Sequence, residues 1–322
     1  MTSPATTEAG SRLAGRARRD VPLAPYTTYR VGGPAALLVE LDDDADARAV
    51  AEVVAATGVA VLVVGRGSNL LVADDGFDGL AVTLGEGFAD IDIDGTVVRA
   101  GGAARLPVVA RRTAAAGLTG FEWAVGVPGS VGGGVRMNAG GHGSDMAATL
   151  RRARVLDLAV GEDTWVDAGD LALGYRTSAI AATDVVLAAE LGLEPGDPTA
   201  GAALVSEIVA WRRAHQPGGQ NAGSVFTNPP GDSAGRLIDT AGCKGLRIGG
   251  AEVSTKHANF IQVDPGGRAA DVIAVMDAVR GRVREHHGVE LVAETHLVGF
   301  DDEGSRAGPC RSGTVDRTEA ER

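Results

Sequence analysis

Val59-Ala60-Val61-Leu62-Val63-Val64 runs into Gly65-Arg66-Gly67-Ser68-Asn69 and leaves through Leu70-Leu71-Val72. A continuous apolar run of this length reads as a strand buried on both faces. The glycine loop at its end can present several backbone N–H groups to a phosphate, although an ordinary hairpin turn is the plainer reading. The residues after the loop decide the fold. A doubly wound dinucleotide site needs a helix directly after the loop and a third glycine. Here Leu70-Leu71-Val72, and then Leu80-Ala81-Val82-Thr83-Leu84, continue as strand. The chain therefore reads as α+β, with a phosphate-loop candidate in a sheet-rich setting.

Upstream, residues 35–41 read as a strand. Asp44 caps a helix whose apolar positions are Ala45, Ala49, Val50, Val53 and Val54, and Gly58 stops it. Residues 1–20 carry Arg12, Arg16, Arg18 and Arg19 but no apolar centre, so they read as a disordered leader and not as a signal peptide. Downstream, residues 91–100 form a hairpin around Asp94-Gly95, and residues 106–116 a helix. Strands are expected at 154–158, 164–167 and 185–193. Glu194-Pro195-Gly196-Asp197-Pro198 is the clearest linker. Beyond it come a helix at 204–214, a short helix at 234–241, strands within 248–263 and an amphipathic helix at 269–286. Residues 289–298 alternate like a strand, with Glu290, Val292, Glu294, His296 and Val298 on one face. Residues 301–322 are polar and read as a disordered tail.

Composition sets further bounds. At ~100–200 residues per domain, 322 residues make two or three domains. Thirty Lys and Arg against 42 Asp and Glu leave a net charge of −12, which repels a phosphate backbone and argues against nucleic acid as a main partner. No run approaches the ~20 apolar residues of a membrane span. Cys243 and Cys310 form neither a CxxC nor a metal pattern, so no metal site is expected. A soluble cytoplasmic monomer is the expectation.

Two further stretches carry chemistry. Gly126-Val127-Pro128-Gly129-Ser130-Val131-Gly132-Gly133-Gly134, followed by Asn138-Ala139-Gly140-Gly141, concentrates glycine in a way that costs conformational entropy. A diphosphate or a flat ring lying against the backbone would justify it; a merely flexible loop is the alternative. Asn221-Ala222-Gly223-Ser224-Val225-Phe226-Thr227-Asn228-Pro229 places a hydroxyl and two carboxamides in one tight run. Gly223 permits close approach of a ligand, and Pro229 keeps Asn228 out of helix. Ser224 is the candidate for chemistry, against the plain reading of a capped turn.

Taken in order, residues 65–71, 126–134 with Asn138-Ala139-Gly140, Tyr175-Arg176, 221–229, Gly249-Gly250-Ala251, His257-Ala258-Asn259-Phe260-Ile261 and Glu294 resemble the UDP-N-acetylenolpyruvoylglucosamine reductase (MurB) family. The likeness spans roughly residues 22–300. It implies a two-part FAD-binding region of the vanillyl-alcohol-oxidase (PCMH) type at 21–200, with subdomains near 21–84 and 85–200. A smaller α+β substrate-binding domain is then expected at 201–300, its last strand returning toward the first subdomain. Ser178 runs almost directly into the strand at 185–193, leaving no room for the extra clamping loop of one family type, so the chain is similar to the second type.

The activity implied is NADPH-dependent, FAD-mediated reduction of a UDP-sugar enolpyruvyl ether to a lactyl ether, a step in peptidoglycan precursor synthesis. Ser224 matches the proton donor, and Arg176 and Glu294 match the groups that stabilise the intermediate. Noncovalent FAD is expected on Gly65, Arg66, Gly67, Ser68, Asn69, Leu70, Gly126, Pro128, Gly129, Ser130, Gly132, Gly133, Asn138 and Gly140. Substrate contacts are expected at Tyr175, Asn228, His257 and Asn259, with His215 near a basic contact of some members. Thr227 departs from a position that is often basic. NADPH and the sugar nucleotide use one pocket in turn, so no separate NADPH motif is expected. The competing reading is another FAD-dependent oxidoreductase of the same fold acting on a sugar or hydroxy acid. Many of those tether flavin through His or Cys. Residues 65–71 contain neither, and His142 is the one histidine near the second glycine cluster.

Overall fold

A computed structural model describes residues 2–300 of the chain; the expected tail at 301–322 lies outside them. In chain order the elements are α1 (Pro4–Arg12), β1 (Arg18–Pro22), β2 (Pro34–Leu41), α2 (Asp44–Thr57), β3 (Val61–Val63), β4 (Leu70–Val72), β5 (Phe77–Leu84), β6 (Ile91–Asp94), β7 (Val97–Gly101) and α3 (Leu106–Ala115). Then come β8 (Leu118–Thr119), α4 (Val131–Arg136), β9 (Gly140–Gly141), β10 (Ser144–Asp145), β11 (Leu150–Asp157), β12 (Glu162–Asp167), β13 (Asp184–Gly192) and β14 (Glu194–Pro195). The remainder is α5 (Pro198–His215), α6 (Ala234–Thr240), β15 (Arg247–Ile248), β16 (Ala251–Val253), β17 (Ile261–Val263), α7 (Ala269–His287) and β18 (His296–Val298).

The first sheet has the order β1-β2-β5-β3, with β2, β5 and β3 parallel and β1 antiparallel to β2. Helix α2 starts at Asp43, whose carboxylate accepts from the Ala45 and Asp46 amides. It stops at Gly58 in the left-handed region. Its buried Val50 and Val54 pack on Leu37, Val39, Leu80 and Val82. The second sheet, β12-β11-β13-β7-β6, is antiparallel throughout. Its core joins Val98, Ala100, Val186 and Leu191 to Leu106 and Val109 of α3. The third sheet is β15-β16-β17, packed with α6 and α7 around Phe226, Leu237, Val272 and Val279. Finally β18 comes back to pair in parallel with β4, register His296 to Leu70.

Four expectations are corrected. Residues 2–20 are ordered, not a disordered leader. Ser3 caps α1, Pro4 suits its first turn, and Ala9 and Leu13, one turn apart, are buried in the α2–first-sheet core. Two apolar anchors in a polar stretch were enough. The linker at 194–198 contributes β14, paired with β8, and Asp197 caps α5. Helix α5 buries Val205 and Ile208 in the second core, so it packs with the part that was expected to end at 200. Residues 289–298 are not one strand. Only His296–Val298 sits in a ladder, Leu291 is buried and Val292 is exposed, because the chain is pulled aside to bond the loop at 224–228. Thr227 N–H donates to Val292 O at 2.9 Å and Glu294 N–H to Val225 O at 2.7 Å.

Among the described residues, no helix is long and apolar enough to cross a membrane, and no group of three or more His, Cys, Asp or Glu could hold a metal ion.

Candidate active site

A cavity of about 430 Å³ opens beside β3 and the β4–β18 pair, between three loops. The loop after β3 forms one wall, the loop from Gly126 to the start of α4 a second, and the loop around Ser224 a third. The two glycine loops touch. A Cβ built on Gly65 would stand 2.7 Å from Ser130 Oγ, so only a bare backbone fits there. Gly67 has φ +58° and its Cβ would meet Tyr26 O at 2.1 Å, so glycine is required twice over. A second space of about 570 Å³ continues from the first past Gly65, Arg66, Ser130 and Gly133, and is walled further by Gly132 and Arg105.

Arg66 and Arg105 face this second space, and among the described residues neither is ion-paired to a carboxylate, although Glu40, Glu86 and Asp184 also line it. Burial holds Arg66 below the usual arginine range, and the neighbouring positive charge of Arg105 adds to the effect. Two unpaired guanidinium groups beside a bare glycine cradle are the environment that an anionic, flat-ended ligand requires. This is the test FAD must meet, and the residues meet it. Arg66, Arg105 and the glycine backbone would hold the diphosphate, and the inner cavity the ring.

Three sequence-predicted groups converge on the inner cavity from separate parts of the chain: Ser224, Arg176 and Glu294. Arg176 stands on a tight turn at φ +57°, a conformation that costs a non-glycine residue energy and so must be held by its surroundings. Its Nε donates to Glu294 Oε1 at 2.8 Å and its Nη2 to Gly140 O at 3.2 Å. Glu294 is largely buried. Burial raises its pKa above the usual carboxylate range, and the attraction and hydrogen bond of Arg176 only partly oppose this. The Ser224 hydroxyl hydrogen-bonds to no protein group among the described residues, which leaves it free for a ligand.

Gly65, Arg66, Gly67, Ser68, Asn69, Leu70, Gly126, Pro128, Gly129, Ser130, Gly133 and Gly140 also line the inner cavity. Gly132 lines the second space only, and six expected contacts line neither space. Asn138 is buried and binds Gly174 O and the Ala147 amide. Asn228 is spent on the Ala234 amide, 3.0 Å away, at the start of α6. Asn259 is buried behind Phe226. Tyr175 is 60% exposed with the Arg176 guanidinium over its ring. His257 packs edge-on against Phe260, and His215 stacks on Trp211. His142, the residue that could have tethered a flavin, packs edge-on against Trp211.

The structure adds cavity-lining residues that motif reading did not assign: Arg136, Arg212, Gln216, Phe260 and His296. Arg212 lies near the end of α5, desolvated enough to lower its pKa, and its Nε donates to neutral Gln216 Oε1 at 2.6 Å. Its sequence signal was an arginine with Ile208 and Gln216, not acids, one turn away on either side. His296 shares the alternation of Glu294. Burial, with Arg136 nearby, pushes its pKa down, so the ring is held neutral.

Known proteins resemble this chain over most of its length. Residues 215–298 match the family model "UDP-N-acetylenolpyruvoylglucosamine reductase, C-terminal domain", and residues 35–167 match an FAD binding domain. The chain is 44% identical over 304 residues to a UDP-N-acetylenolpyruvoylglucosamine reductase of Acidiphilium cryptum, covering 93% of this chain and 94% of that one. It is 41% identical over 290 residues to the protein of that name from Rubrobacter xylanophilus, covering 89% and 97%. The crystal structure of UDP-N-acetylenolpyruvylglucosamine reductase (MurB) from Thermus caldophilus superposes with a TM-score of 0.77 at 35% identity, covering 88% of this chain and 99% of that one. The chain belongs to the UDP-N-acetylenolpyruvoylglucosamine reductase family.

Proposed function

We propose that Ser224, Arg176 and Glu294 are the catalytic groups of an NADPH-dependent, FAD-mediated reduction that converts UDP-N-acetylglucosamine enolpyruvate to UDP-N-acetylmuramate. One observation carries this reading: the three groups, supplied from positions far apart in the sequence, line the same cavity as both glycine loops. The chemistry that bound FAD would supply is hydride, taken from NADPH, for the terminal alkene carbon of the substrate.

The chain's own residues then have three tasks. Negative charge develops as an enolate beside the substrate carboxylate, and the Arg176 guanidinium is placed to receive it. Glu294, whose burial favours the protonated form, can donate a hydrogen bond to the same charge while its Oε1 anchors Arg176. Ser224 Oγ gives its proton to the carbon. The part up to Gly192, together with α5, holds the cofactor. The loop at 221–228, with α6, α7 and the third sheet, presents the sugar nucleotide, and Arg212 meets its diphosphate. In this reading the chain works as a cytoplasmic monomer on a small nucleotide substrate.

The test is a visible spectrum of the purified protein without oxygen. NADPH should bleach a yellow protein, and the enolpyruvyl sugar nucleotide should restore the colour. A colourless protein, or one that no enolpyruvyl sugar nucleotide recolours, overturns the reading.

A further inference from the structure

Behind each of the three catalytic groups stands one asparagine whose side chain is already committed to the protein. Asn259 is buried and clamps Phe226 from both sides. Phe226 N–H donates to its Oδ1 at 3.0 Å, and its Nδ2 donates to Phe226 O at 2.8 Å. Val225 N–H donates to Asn259 O at 2.9 Å, so the segment directly after Ser224 is held by three bonds to one residue. Asn138, also buried, donates from Nδ2 to Gly174 O at 2.9 Å and to Asp145 Oδ2 at 3.2 Å, and accepts the Ala147 amide on Oδ1. Gly174 closes the turn with Thr177 on which Arg176 sits. Asn69 donates from Nδ2 to Glu294 O at 3.0 Å, and its own carbonyl accepts the His296 amide at 2.9 Å.

These supports are linked. Glu294 N–H donates to Val225 O, so the carboxyl's backbone is bonded to the serine loop on one side and to the glycine loop on the other. Asparagine suits the task because one short side chain offers a donor and an acceptor in the spacing of a peptide group, whereas aspartate offers acceptors alone. Without these amides, Phe226 N–H, Phe226 O and Glu294 O would lose the side-chain partners they have here.

We infer that the side-chain amides of Asn69, Asn138 and Asn259 position Glu294, Arg176 and Ser224 in register and do not themselves bind ligand. This rests on the catalytic roles proposed above. Asn69 is the telling case, since it belongs to the cofactor loop yet directs its amide to the residue that carries the acid.

Asn69→Ala is the decisive variant, because Asn69 is only half-buried and its loss leaves the core intact. It should retain flavin and be bleached by NADPH at the native rate. Reoxidation by the enolpyruvyl sugar nucleotide should slow ~10- to 100-fold, with KM for that substrate little changed. In the flavin-free protein, hydrogen exchange at the Val225 and Glu294 amides should quicken. Native-rate reoxidation overturns the inference, and so does loss of flavin or of bleaching, which would make Asn69 a cofactor contact. A native protein that the substrate cannot recolour indicts the proposed function instead.

Discussion

Replacing Ser224 by alanine isolates one hydroxyl. Among the described residues the Ser224 Oγ bonds to no protein group, and the backbone beyond it is held independently. Val225 donates to Asn259 O at 2.9 Å and accepts from Glu294 N–H at 2.7 Å. Removing the oxygen therefore leaves the loop, the cavity and the fold in place, and stability should change by no more than ~0.5 kcal/mol. Flavin binding and bleaching by NADPH make no use of the hydroxyl and should stay at native values. The oxidative step loses its proton source. Loss of a general acid costs ~10²–10⁴ in rate, or roughly 3–5 kcal/mol of barrier. Anaerobic stopped-flow absorbance, with the two half-reactions triggered separately, reads both phases in one preparation. Native reoxidation in Ser224→Ala would refute the proton-donor role. Equal slowing of both phases would place Ser224 in cofactor binding instead.

Arg66→Met and Arg105→Met each remove one of two facing guanidinium groups. FAD affinity should fall ~10- to 150-fold, since charge-assisted hydrogen bonds are worth about 1.5–3 kcal/mol, while the flavin-free protein should melt no lower than native. Flavin titrations that give the native Kd would remove both residues from the diphosphate site. Burial raises the Glu294 pKa above 4.5, so its contribution to stability is full below that value and is lost as pH rises through the raised pKa. The protonated donor is lost over the same window, so the oxidative half-reaction should decline with it. Denaturant unfolding of native and Glu294→Gln proteins in parallel checks the sign: a native protein that gains stability relative to the variant across that rise contradicts it. Leu13→Ala should cost ~2–5 kcal/mol, the price of a cavity at a site that is 1% exposed, read by urea unfolding. A loss near zero would mean that α1 does not pack as described.

The parts of the fold written in local patterns were legible. The helix at 44–57 announced itself by stripe and terminal glycine, although its cap is Asp43 and not the expected Asp44, and the hairpin at 91–101 by Asp94-Gly95. That strand and not helix comes after Gly65–Asn69 was readable from Leu70-Leu71-Val72 alone. The expectations that failed depended on tertiary bonds. Nothing local says that Val292 O will be taken by Thr227, turning an alternating stretch into a bent one. The short helix after Ser130 was hidden because glycine, its main constituent, is a poor helix former, and packing overrides that preference. Motif order brought Ser224, Arg176 and Glu294 to one cavity but could not separate residues that touch a ligand from those that orient the ones that do. Asn228, Asn259 and Asn138 lie in the same motifs as the cavity wall, yet their amides point into the protein. Arg105 and Arg212 lay outside every motif, and only the absence of an acid within four residues of either in the sequence marks them.

The parallel pairing of His296–Val298 with Leu70–Val72 has a consequence for how the molecule comes into being. Asn69 meets Glu294 over a sequence separation of 225 residues. During synthesis the cofactor loops leave the ribosome long before the acid they are to work with. A partly made chain can shape a cradle but has no chemistry, and activity switches on as one of the last events of folding. Closing so wide a span draws on contacts already formed in between, so mutations that slow the middle of the molecule should delay the birth of the enzyme more than the capture of its pigment.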